Sequence, residues 1–218
     1  MSWIVEKLSY IIKKPEVQSG LSIAASSFSL ANPLAGAVIS AFKEVSSIAD
    51  EIKGRYILNG LASGLNQEKF VNELESYVNS NDENAGFVAN TLRKALLADS
   101  PIACTLMGRI LADHIKEKKP YDQYDVIIIH ALESATDDDL RAFQNMMSGY
   151  NGKNIAVSSQ NTVEWCFINR IFQQIIGTAS NGNLSLQPVY KPTEAANRLS
   201  MYINEIKQCF RENLSIVK

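Results

Sequence analysis

The side chains in this chain best suited to chemistry are acids. Asp137, Asp138 and Asp139 stand in a row, with Asp122, Asp125 and Glu133 shortly upstream. Two kinds of chemistry fit that spacing. Carboxylates grouped just beyond an apolar run can hold Mg²⁺ at the carboxyl edge of a sheet, with Asp137, Asp138 and Asp139 as the metal ligands. Alternatively, Thr136 caps a helix and the acids fill its first turn, where the helix dipole stabilises each by about 0.3–1 kcal/mol. The second reading needs no further assumption and is preferred.

The other reactive residues are sparse. His114 and His130 are the two histidines. A general base needs a neighbouring nucleophile or substrate and a third residue to orient it, and the spacing provides neither. Both therefore read as structural. Cys104, Cys166 and Cys209 are far apart and odd in number, with no C-x-x-C pair. They read as reduced thiols of a cytoplasmic protein rather than as disulfides or zinc ligands. No glycine lies in a G-x-x-x-x-G-K-[ST], G-x-G-x-x-G or G-x-S-x-G pattern. The expectation is a protein that is not an enzyme and needs no cofactor.

Composition narrows the class further. The chain has 218 residues, 46% hydrophobic and 20% charged, with net charge −2. That excludes intrinsic disorder and a strongly basic nucleic-acid binder. Charge is also even along the chain. Residues 1–120 carry 13 basic and 13 acidic side chains, and residues 121–218 carry 8 and 10. The segment MSWIVEKLSYIIKKPE reads as an amphipathic helix bearing Trp3, Ile4, Leu8, Ile11 and Ile12 rather than as a signal peptide. Val17–Phe42 is 26 residues without a charge, long enough to cross a bilayer. It also holds six serines, Gln18 and Asn32-Pro33, which would split it into two short, small-residue helices. Membrane association through residues 17–42 is the minor reading.

The elements that must position these side chains follow from periodicity and caps. Residues 1–119 read as helix throughout, with Gly60 and Gly64 ending a long helix and Asn66 capping the next. Ser80–Asn84 is a turn, Ser100-Pro101 opens another helix, and Lys119-Pro120 marks the domain boundary. In the second half, Val126–His130 is either part of a helix continuing through Leu132 or a buried strand. As a strand it would join Ile155–Ser158 in a β-α-β-α unit with a small parallel sheet, the α/β alternative. Asn161-Thr-Val-Glu164 reads as a capping box whose helix runs to Gly177. Asn181-Gly182 reads as a hairpin turn between Thr178–Ser180 and Leu184–Tyr190, and Lys191-Pro-Thr-Glu194 opens the last helix.

Three helices, a hairpin and a closing helix over about residues 121–210 resemble a winged-helix module. Asn161–Gly177 is the third helix and the Asn181-Gly182 hairpin the wing, although the gap from Gly149 to Asn161 is long for a helix-turn-helix. The resemblance implies a mainly α protein, with a helical array over 1–119 and a winged-helix-like α+β domain over 120–218. It also implies DNA binding, for which this sequence offers Arg170 and Lys191. A phosphate-contacting surface normally uses several basic residues, so protein contact through the hairpin side is preferred and a DNA-binding regulator is the alternative. The whole layout is similar to bacterial helical proteins without an assigned function, some phage-borne, which implies a regulatory or phage-defence setting. Gly36, Gly60 and Gly64 permit close helix approach, either inside the core or against a protein partner or a second copy of the chain.

Overall fold

The computed structural model describes residues 48–65, 70–150, 152, 155, 160–176 and 188–215. The Val17–Phe42 segment, Gly36, the N-terminal amphipathic stretch, the Asn66 cap and the Asn181-Gly182 turn lie outside them. The described chain is mainly helical, with one two-stranded antiparallel sheet. In order it forms α1 (Ile48–Gly64), α2 (Phe70–Val78), α3 (Asp82–Leu97), α4 (Pro101–Glu117), α5 (Gln123–Ser134), α6 (Asp137–Ser148), α7 (Gln160–Ile168), β1 (Phe172–Ile176), β2 (Pro188–Pro192) and α8 (Glu194–Ser215). Among the described residues, no helix is long and apolar enough to cross a membrane.

Helix α4 is the centre of the packing. Ser100 caps it, its hydroxyl accepting from the Ala103 N–H at 2.9 Å, and Pro101 follows at the first helical position. Both are strong start signals, because an oxygen satisfies an orphan N–H and proline has none to lose. Ala103, Cys104, Leu106, Met107, Ile110, Leu111, Ala112 and Ile115 are all buried, so the helix is apolar nearly all round. Such a helix needs neighbours on several sides. α1, α2, α3, α5, α6 and α8 supply them. The buried side chains from Ile57 to Ile206 form one cluster, which runs without a break across Lys119-Pro120.

The closest of these contacts is α1 on α4. A methyl group on Gly60 would overlap the Thr105 carbonyl oxygen and come within 2.8 Å of the Arg109 nitrogen. One on Gly108 would overlap the Ile57 carbonyl oxygen in return. The two backbones touch at this crossing, and each helix gives up a side chain to allow it. Gly60 is therefore inside α1 and does not end it; Gly64 is the last residue of that helix. A methyl on Gly64 would meet the Arg109 guanidinium and the Ala112 methyl. Gly60 and Gly64 thus make their close approach within the chain.

The Val126–Ile129 run is helical, which overturns the parallel-sheet alternative. The local reason is a capping box. Asp122 accepts from the N–H groups of Tyr124 (2.8 Å) and Asp125 (3.1 Å), and Asp125 accepts from the Asp122 N–H at 2.9 Å. This reciprocal arrangement fixes the first turn. Helical spacing then buries Ile128, Ile129 and Leu132 and leaves Val126 exposed. β-branched residues only weakly oppose a helix, and packing of the buried face overrides them.

Two further expectations change. Asn81 caps α3, accepting from the Asn84 N–H at 2.7 Å, so Asp82–Asn84 are helical and not turn. The helix expected to reach Gly177 stops at Ile168. Arg170 adopts φ 60°, the left-handed region, and breaks it. Phe172–Ile176 then becomes β1, paired antiparallel with β2 from Phe172↔Pro192 to Ile176↔Pro188. The second strand overlaps the end of the expected Leu184–Tyr190 segment, whereas the first lies ahead of Thr178–Ser180, in residues expected to be helical. The apolar pair Ile175–Ile176 sits equally well on a strand, and the sequence pattern could not separate the two. Glu164 receives a bond from Gln160 and forms no capping box with Asn161.

Lys118 ends α4 with φ 50° and ψ 34°, and its N–H returns to the His114 carbonyl. Left-handed backbone costs a side chain about 1–2 kcal/mol and costs glycine almost nothing. Lys118→Gly is therefore expected to raise stability by about 0.5–1 kcal/mol in urea unfolding. No gain would mean that this turn is not left-handed in solution.

Candidate functional site

The acid run occupies the start of α6, and its three carboxylates serve three separate jobs. Asp137 accepts from the Ser100 hydroxyl and, at 3.4 Å, from the Ile102 N–H, so it ties the start of α6 to the start of α4. Asp138 is exposed and pairs with Arg141 at 3.1 Å. Asp139 closes a capping box with Thr136 and accepts from the Thr162 hydroxyl at 3.1 Å, joining α6 to α7. The helix start accounts for the Thr136–Asp139 box, and the bonds to Ser100, Ile102 and Thr162 tie α6 to α4 and α7. Among the described residues, no group of three His, Cys, Asp or Glu side chains is placed to hold a metal ion.

A different polar cluster lies in the interior, where α4, α5 and α8 meet. His114 and Asp125 are both buried, with Nε2 of the ring 3.2 Å from Oδ2 of the carboxylate. The ring N–H is not aligned on that oxygen, so Nε2 has no hydrogen bond of good geometry. The contact is one of close approach. Nδ1 faces the Lys119 carbonyl oxygen at 3.3 Å, and that same oxygen accepts from the Tyr77 hydroxyl at 3.1 Å. Phe87 stands edge-on to the imidazole at 5.2 Å and stacks on Tyr121 at 4.5 Å.

Arg198 of α8 completes the cluster from the other side. Its guanidinium lies 2.8 Å from Asp122 and 3.5 Å from Asp125, and its Nε reaches Glu194 at 3.2 Å. It also sits 5.1 Å from the centre of the Tyr124 ring, within cation–π range. Burial pushes the Asp125 carboxyl upward. The contacts with His114, the Asp122 N–H and Arg198 outweigh it and hold the group below the usual carboxylate value. The Tyr77 hydroxyl is pushed up to about 12 by burial and by the Asp125 charge.

A histidine beside a buried carboxylate supplies two of the three members of a nucleophilic triad. Here the other ring nitrogen is turned to a backbone carbonyl inside the protein, and the ring is 1% exposed. In this arrangement the pair holds helices together. Sequence reading missed the cluster because Arg198 is far from His114 along the chain and Asp125 sits on a different helix, across a turn. The Asp122-x-x-Asp125 capping box was the one local signal.

The remaining candidates are dispersed. His130 is exposed and lies 3.2 Å from Lys94, which also pairs with Glu133. Cys104 is buried and points its thiol at the Ala95 carbonyl oxygen at 3.2 Å, and burial pushes that thiol up to about 11. Cys166 is buried and shifted the same way by burial. Neither is in the thiolate form that nucleophilic chemistry requires. Arg170 is exposed after α7, while Lys191 is half-buried on β2 opposite Gln173.

One surface feature was not signalled by sequence. Phe167 and Ile168, at the carboxyl end of α7, are 45% and 75% exposed. Phe167 leans edge-on against Tyr190 of β2 at 6.3 Å, so the pair sits where helix meets hairpin.

Compared with protein-family models, curated proteins and solved structures, this chain matches none.

Proposed function

We propose that this protein works by protein–protein contact, through the end of the molecule formed by α7 and the hairpin. The adjacent, exposed Phe167 and Ile168 carry this reading. Burying a large apolar side chain is worth about 1.5–3 kcal/mol, and aromatic and aliphatic anchors of this kind dominate protein interfaces. In this reading the order α5, α6, α7, β1, β2, α8 is taken as a winged-helix-like module that serves packing rather than DNA. Across the described residues of α7 and the hairpin, Arg170 and Lys191 are the basic side chains. Duplex binding normally rests on several such contacts. The partner is a protein, either a second copy of this chain or a different one.

Sizing of the protein in extracts of cells that express it tests the reading. The wild type is expected to elute as a species larger than one chain, and Ile168→Asp at the size of one chain with its fold unchanged. Equal elution of the two would overturn the assignment of this surface.

A further inference from the structure

The buried imidazole of His114 faces an oxygen from each of its ring nitrogens. Nδ1 meets the Lys119 carbonyl at 3.3 Å and Nε2 meets Asp125 at 3.2 Å. An imidazolium has two N–H groups to offer them, and a neutral ring has one. Either neutral tautomer therefore turns a lone pair toward an oxygen in a space closed to water. The Lys119 carbonyl belongs to the left-handed turn that ends α4, and Asp125 belongs to the cap that begins α5.

We propose that His114 is a proton-operated latch on the α4–α5 junction. Protonated, it closes the Lys119 turn and the α5 cap onto α4. When it loses a proton, one of the two contacts opens and the junction loosens. The groups around it shape the response. Asp113, Lys116 and Glu117 share its helix, and α2 brings the Tyr77 hydroxyl. The linker brings Lys119 and Tyr121, and α3 brings the uncharged Phe87 ring. α5 brings Asp122 and Asp125, and α8 brings Glu194, Arg198, Tyr202 and Glu205. Arg198 stays beside Asp125 after the proton leaves, so the carboxylate is not stranded and the junction opens without global unfolding.

The test uses His130→Asn, which removes the exposed imidazole and leaves His114 as the one histidine. NMR then follows the His114 ring while hydrogen exchange, corrected for its intrinsic pH dependence, follows amides 118–126 from about pH 5 to about pH 9. Protection of those amides is expected to fall about tenfold over the same pH range in which the ring signals move. Amides 165–169 of α7 and its following turn serve as the unchanged reference. If His114→Gln folds, it is expected to lose the step. Ring titration with no matching change in protection, or a ring that keeps one protonation state throughout, overturns the latch. Both readings come from the His130→Asn protein alone, whatever the His114 variant does.

Discussion

Gly60→Ala is expected to destabilise this protein by about 3 kcal/mol or more, among the largest losses available from adding one methyl group. The added carbon would fall on the Thr105 carbonyl oxygen and close to the Arg109 nitrogen, both backbone atoms of α4 that no rotamer change can move aside. Relief requires α1 and α4 to separate, which opens the close backbone contact at their crossing. Gly54→Ala in the same helix is the control. Nothing lies within 4 Å of its added carbon, so the better helix former should raise stability by about 0.5–1 kcal/mol. Opposite signs from two identical substitutions, read by chemical unfolding, would establish the α1–α4 crossing. A mild effect at Gly60 would mean that the glycines meet some other surface, including another chain.

Asp125→Asn is expected to cost about 3–5 kcal/mol, because it removes the buried carboxylate that faces both His114 and Arg198 and weakens the hold on Arg198. It should also change the acid response. The Asp125 carboxyl titrates lower in the folded protein than its ordinary value of about 3.9. Its contribution to stability is therefore fully present above about pH 4 and is lost as pH falls through the folded value. Wild-type stability should drop steeply below about pH 4, and the Asp125→Asn protein should show a shallower drop from a lower plateau. Parallel acid curves for the two proteins would contradict the account of this cluster.

Local signals reported local structure well. Ser100-Pro101 and Thr136 capped the helices their chemistry predicts, because a cap depends on residues within three positions. The three aspartates behaved as a helix start for the same reason. Val126–Ile129 stayed ambiguous, since four β-branched or apolar residues fit a buried strand or a buried helix, and the Asp122–Asp125 box decided it. The break after Ile168 was invisible because it rests on Arg170 taking a conformation more natural to glycine or asparagine. The His114–Asp125–Arg198 cluster depends on three helices meeting, and no spacing encodes that. Exposure of Phe167 and Ile168 was hidden too, because α7 alone looks like an ordinary apolar helix until its neighbours are in place.

The most direct test of the account is site-specific photo-crosslinking in cells that express the protein. A photoreactive side chain at position 168 is compared with one at the exposed Glu117, at the end of α4. The account predicts a discrete protein adduct from position 168 and none from position 117. No adduct at 168, or the same faint smear from both positions, would contradict it.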